Sequence, residues 1–150
     1  MLAVMLIAAV LVAITVAIHA AGLALILSHL AKSHAVPPTQ FWPITRLLIR
    51  VAWLLILIHG VEISVWALLY LWKGCLGDAE SAFYFSGVTY TTIGYGDLVL
   101  PKPWRMLGPI EGVTGILMCG LSAGLFFATV TRIYAPRLEA QPPDREGSAI

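Results

Sequence analysis

Charge is what this sequence has least of. Only 11% of its 150 residues are Asp, Glu, Lys or Arg, and nine bases nearly cancel eight acids. A nucleic-acid surface needs clustered Lys and Arg without compensating acids, and there is no such patch, so no nucleic-acid partner is expected. Cysteine is almost absent as well. Cys75 and Cys119 stand apart with no CxxC or Cys/His spacing, which leaves metal and redox chemistry little support. Beyond His59/Glu62 and scattered Ser and Thr no nucleophile–base pair is legible, so neither an enzyme nor a cofactor is expected.

What is present in quantity is apolar surface, 59% of the residues, far above an ordinary soluble chain. Residues 2–30 contain no Asp, Glu, Lys or Arg and exceed the roughly 20 residues that cross a bilayer core. A cleaved signal peptide is the rival reading, but there is no positive leading region and the run is about twice the usual apolar length. Residues 31–46, with Lys32, three prolines and the Phe41–Trp42 pair, read as a loop at the membrane surface, closing a first region, 1–46. A second span follows at 47–72, and "KGCLGD" at 73–78 breaks it. Residues 79–90 are too few to cross at about 1.5 Å per residue, yet they begin like a helix, with Asp78 as N-cap and Glu80 in the first turn. They predict a half-helix that enters and stops. The stretch 91–97 and a proline-bounded turn lead into a third span, 104–134, and the polar remainder, 135–150, predicts a disordered tail. The fold class expected is an all-α membrane protein with three transmembrane helices and a re-entrant half-helix and loop.

The re-entrant stretch, "YTTIGYGDLVL" at 90–100, is too polar and glycine-rich for a spanning helix. Non-helical backbone at membrane depth is tolerated only where protein buries it or where it lines a water-filled path, since each unsatisfied amide costs on the order of several kcal/mol. Gly94 and Gly96 allow positive φ at alternate positions, which turns successive carbonyls to one side. Thr92, Ile93, Gly94 and Tyr95 then offer a column of oxygens, with the Thr92 hydroxyl below. One column cannot surround an ion, so a ring requires several identical chains about an axis. The half-helix also aims its C-terminus, at Tyr90 and Thr91, toward the membrane centre, where its partial negative charge favours a cation.

"TTIGYGD" resembles the potassium-channel filter signature, with Ile93 in place of the commoner Val. The order outer helix, half-helix, filter and inner helix over 47–134 is similar to the bacterial two-transmembrane potassium-channel pore; the first span lies outside the resemblance. The resemblance implies a homotetramer in which Thr92, Ile93, Gly94 and Tyr95 coordinate K+ and Gly96 completes the filter turn. It implies passive conduction, with potassium as permeant ligand, identical subunits and membrane lipid as partners, and Asp97 at the outer mouth. Tyr84 and Phe85 fall where the family has an aromatic cuff, with Tyr84 in reach of Asp97, and Thr91 precedes the filter. The family's cuff tryptophans are missing, and Val88 stands where some members carry a glutamate. A weakly selective cation channel, or a non-conducting pore-like subunit of another membrane complex, is the alternative.

Glu62 and Glu111 are unexpected, because an acid at the centre of a spanning helix costs roughly 2.5–3.5 kcal/mol on insertion scales. By rise per residue, Glu62 lies about 15 Å and Glu111 about 10 Å deep, the layer of the half-helix. Either they brace the filter through Thr89, Tyr90 or Thr91, with His59 at i−3 sharing the proton of Glu62, or they are protonated and tie the second span to the third. A metal at His59/Glu62 is disfavoured by the single His-x-x-Glu. In the third span, Gly108/Gly112 and Gly120/Gly124 suit close helix packing. Gly115 falls near the family's inner-helix hinge, and Ile116, Cys119 and Ala123 are the cavity-lining candidates. A voltage sensor needs repeated arginines on one helix, and the first span has none. Lys32, Arg46 and Arg50 lie on one connection and Arg132, Arg137 and Arg145 near the end, but Lys73, Lys102 and Arg105 lie on the opposite side with Asp78, Glu80 and Asp97. The orientation therefore rests more on the three-span geometry and the uncharged, easily translocated N-terminus. The expectation is a multi-pass inner-membrane protein, N-terminus outside and C-terminus cytoplasmic.

Overall fold

The structure, a computed structural model, describes residues 1–32 and 41–139. Its elements are α1 (Leu2–Lys32), α2 (Phe41–Trp72), α3 (Ala79–Tyr90), a 3-10 turn (Lys102–Trp104) and α4 (Leu107–Glu139); among the described residues there is no strand. Three of the helical segments are long and apolar enough to cross a membrane, Leu2–Ala31, Phe41–Trp72 and Lys102–Tyr134. The chain is an all-α membrane protein with a short helix, α3, inserted between the second and third spans.

Three boundaries differ from expectation. The second helix begins at Phe41 rather than 47. Pro43 does not prevent this, because the N–H it lacks belongs to the first helical turn, where no intrahelical acceptor exists. Phe41 and Trp42, edge to face at 5.6 Å, therefore form the exposed start of a helix and not part of a loop. The third helix starts at Leu107, not 104, since the Pro101–Pro103 segment closes a 3-10 turn instead. At its far end it continues to Glu139 rather than 134, so residues 135–139, expected in a disordered tail, are helical. Arg137, Leu138 and Glu139 are good helix formers that extend an existing helix, although Pro136 has no N–H to contribute. The remainder of the expected tail, 140–150, and the expected loop over 33–40 lie outside the described residues.

α1 packs along both α2 and α4, and α3 lies between α2 and α4. One apolar cluster gathers Leu11 of α1, Trp66 and Tyr70 of α2, Phe85 of α3 and Leu107 of α4; a second joins Ile26 to Val51 and Leu55. Van der Waals packing and interhelical hydrogen bonds hold helices together in lipid, and both occur on α1. Trp66 is fully buried and donates its indole N–H to the Thr15 hydroxyl at 3.1 Å, while Thr15 donates to the Leu11 carbonyl at 2.9 Å. At Gly22 a Cβ would lie 2.5 Å from Ile58, so the glycine is what lets α1 approach α2.

Candidate functional site

The site begins at the start of α3. Asp78 has extended backbone and accepts the Ser81 N–H at 2.8 Å through one carboxylate oxygen and the Ser81 hydroxyl at 2.8 Å through the other. These donors hold its carboxyl below the usual range, the backbone N–H of Ser81 contributing most. With Glu80 in the first turn, the N-terminus is capped and charge-matched, and the helix runs for 12 residues.

At Tyr90 the backbone turns back on its own helix. Thr91 N–H donates to the Gly87 carbonyl (3.1 Å), Thr92 N–H to Thr89 (3.0 Å) and Gly94 N–H to Val88 (3.0 Å). Thr92, Gly94 and Gly96 take φ of 61°, 56° and 79°, so every second residue from 92 to 96 is left-handed. For glycine this is inexpensive, whereas for a β-branched threonine it stores about 1–3 kcal/mol of strain. The returning hydrogen bonds to α3 fix the geometry. Ile93 and Tyr95 remain 55% and 70% exposed on the single chain, large side chains that their own chain leaves mostly uncovered. Beyond them, Tyr84 donates its hydroxyl to Asp97 at 2.8 Å, and this carboxylate contact raises the Tyr84 pKa. Phe85 is buried edge to face with Tyr70 at 5.3 Å.

Both intramembrane acids are fully buried beside α3 and both are hydrogen-bonded. Glu111 accepts the Tyr70 hydroxyl at 2.6 Å and contacts the Ser86 hydroxyl. It does not reach Thr89, Tyr90 or Thr91; it ties α4 to α2 and to the middle of α3. Ser86 has one hydroxyl hydrogen, yet it also lies 2.9 Å from the Ile63 carbonyl. Both of its contacts are satisfied at once when Ser86 donates to that carbonyl and a protonated Glu111 donates to Ser86.

Glu62 is surrounded differently. It accepts the Tyr90 hydroxyl and contacts His19 Nδ1 at 2.9 Å and His59 Nδ1 at 3.1 Å. His59 Nδ1 is also 3.1 Å from the Tyr90 hydroxyl, and its Nε2 is 3.0 Å from the Ser122 hydroxyl of α4. Two imidazole N–H groups and a phenol converging on one carboxylate are satisfied when Glu62 is ionised and both rings are neutral. The two acids thus differ in their contacts, Glu111 meeting two hydroxyls and Glu62 meeting two imidazoles and a phenol at the C-terminal end of α3.

α4 presses its glycines against the same place. A Cβ on Gly112 would be 3.4 Å from the Thr89 carbonyl oxygen, and one on Gly115 would be 2.0 Å from that of Tyr90. Gly115 is thus required by packing, a reason independent of any hinge. Gly108 meets Phe85, while Gly120 and Gly124 face open space, so of the two GxxxG pairs only the first packs within the chain. Ile116, Cys119 and Ala123 are exposed along one side of α4.

Sequence reasoning did not find His19, Tyr70, Ser86 or Ser122. The signal for His19 was available: an imidazole in an apolar span without charge needs a partner, and Glu62 needs one too.

A family model described as "Ion channel" matches residues 51–132, more than half of the chain. No curated protein and no solved structure gives a significant match.

Proposed function

Because the chain belongs to the ion channel family, we propose that it is a potassium-selective channel built from four copies, conducting K+ passively through a ring of filter carbonyls. The observation that carries this reading is the alternation of left-handed residues at Thr92, Gly94 and Gly96 directly after a half-helix. Such alternation turns successive carbonyls to one side, and four columns about an axis replace the hydration shell of the ion. Thr92, Ile93, Gly94 and Tyr95 are the coordinating residues, Gly96 closes the turn, and Asp97 stands at the outer mouth with Tyr84.

Assembly also accounts for what one chain leaves uncovered. Ile93 and Tyr95 project from backbone that cannot face lipid, and neighbouring copies bury them. The stripe of Ile116, Cys119 and Ala123 then lines the cavity beneath the filter. In this arrangement the mouth and the N-terminus face outward, the C-terminal end lies in the cytoplasm, and α1 stands outside the pore region. The membrane is the cell's inner membrane.

The experiment is flux into liposomes containing the purified protein under a potassium gradient, with sodium as competitor and Gly94→Asp as control. Potassium-selective flux lost in Gly94→Asp is the expected result. Equal sodium and potassium flux overturns the selectivity, and no flux from folded tetramers favours a non-conducting pore-like subunit.

A further inference from the structure

The side chains around Glu62 converge from three elements. His19 is on α1, His59 and Glu62 are on α2, and Tyr90 ends α3. We infer that His19, His59 and Glu62 form a binding site for a divalent transition-metal ion of the zinc and cobalt class, placed behind the filter.

The donor set comes first. Two imidazole nitrogens and a carboxylate suit zinc, cobalt or nickel, whereas magnesium and calcium take oxygen. One ligand atom from each of the three residues lies within 4.8 Å of the others. A tetrahedral ion with bonds of about 2.0–2.2 Å places its donors roughly 3.3 Å apart. His19 Nδ1 lies 2.9 Å from one Glu62 oxygen and His59 Nδ1 3.1 Å from the other, so each imidazole is about that far from a carboxylate donor. The Tyr90 hydroxyl, 3.1 Å from His59 Nδ1, stands beside the set as a fourth donor.

The surroundings have the features that support a metal ligand. His59 Nε2 meets the Ser122 hydroxyl at 3.0 Å, an outer contact able to accept the Nε2 proton of the metal-bound tautomer, in which Nδ1 gives up its hydrogen bond to Glu62 and turns its lone pair to the ion. His19 is 1% exposed and its Nε2 has no hydrogen-bond partner. Hydrogen bonding alone therefore leaves a buried polar atom uncompensated in an apolar layer. His59, 18% exposed, is the accessible side of the cluster. A dication on Glu62 leaves one positive charge at the C-terminus of α3, where the helix dipole favours it. The same charge opposes the negative helix end that attracts permeant cations, so metal binding lowers conduction. That consequence, unlike the binding, rests on the channel reading above.

The test is titration of cobalt into the purified full-length protein in detergent, followed by visible absorption. The expected result is the d–d spectrum of tetrahedral cobalt at one ion per chain, absent in His19→Asn and in His59→Asn and retained in Cys119→Ser. Ser122→Ala weakens cobalt binding about 10–100-fold. Helix content by circular dichroism certifies each variant as folded. Folded wild-type protein without tetrahedral bands at millimolar cobalt overturns the site, since the network is then a proton-only one. Bands that survive both histidine replacements, or sulfur-to-cobalt charge transfer lost in Cys119→Ser, overturn it as well. Zinc added to the liposome assay should depress wild-type flux and leave His19→Asn flux unaffected. An intact cobalt site in a protein that carries no current supports the metal site and counts against the channel reading alone.

Discussion

Gly115 of α4 lies against the carbonyl of Tyr90, the last residue of α3, so closely that a Cβ would stand 2.0 Å from the carbonyl oxygen and 2.8 Å from its carbon. The obstacle is backbone, which cannot rotate out of the way, and the displaced atoms lead directly into Thr92.

Gly115→Ala should therefore destabilise the protein by about 1–3 kcal/mol, as overpacking does. In the proposed four-copy channel it should also impair potassium selectivity before it abolishes assembly. Gly60, which has nothing within 4 Å of a Cβ, is the comparison. There Ala should be neutral or stabilising by about 0.5–1 kcal/mol through helix propensity. Thermal unfolding in detergent with parallel flux checks both, and an undisturbed Gly115→Ala protein would show that α4 does not hold this position in the assembly.

The two buried acids should respond differently to the same change. Gln at 111 reproduces a protonated carboxyl, donating to Ser86 and accepting from Tyr70, so Glu111→Gln should cost less than about 1 kcal/mol. Gln at 62 removes a charge that three donors share and sets an amide N–H against one of them, costing about 3–5 kcal/mol. Infrared spectroscopy supplies the direct check: a protonated-carboxyl band should vanish in Glu111→Gln and persist in Glu62→Gln.

Asp78 gives a pH signature at the start of α3. Its pKa is lowered in the folded protein, so its contribution is complete above the unfolded value near 3.8 and is lost as pH falls through the lower, folded value. Asp78→Asn keeps the cap and should lose this acid dependence, whereas Asp78→Ala should lower the melting temperature at neutral pH. Melting curves between about pH 2 and 7 separate the three proteins. A wild-type curve parallel to that of Asp78→Asn throughout would dismiss the ionised carboxylate as a contributor, and one that coincides with Asp78→Ala would dismiss the cap.

Cys119 and Cys75 offer a contrast within one molecule. Cys119 is exposed beside Ile116 and Ala123, and Cys75 is buried. A charged thiol reagent applied from the cytoplasmic side should modify Cys119, reduce flux and spare Cys75; Cys119→Ser should abolish the effect. Modification without change in flux would move Cys119 away from the cavity.

Much of the architecture follows from local chemistry. An uncharged apolar run longer than the bilayer core is a spanning helix whatever surrounds it, and α3 matches residues 79–90 because the Asp78 cap and the turn at Thr91 are both local. The left-handed positions at Gly94 and Gly96 were legible for the same reason, as only glycine takes them without strain. Thr92 was not: its φ of 61° goes against its own preference and is held by hydrogen bonds to α3. Helix ends differ at Pro43, which is tolerated in a first helical turn, and beyond Tyr134, where a polar stretch extends a helix already formed. The partners of the buried acids were beyond local reading. Glu62 and Glu111 announced that they needed partners, but which groups they met depended on the rotation of four helices about their axes. That rotation is set by packing at Gly22, Trp66 and Gly115, so only the tertiary structure brought His19, 43 residues away in the chain, to Glu62.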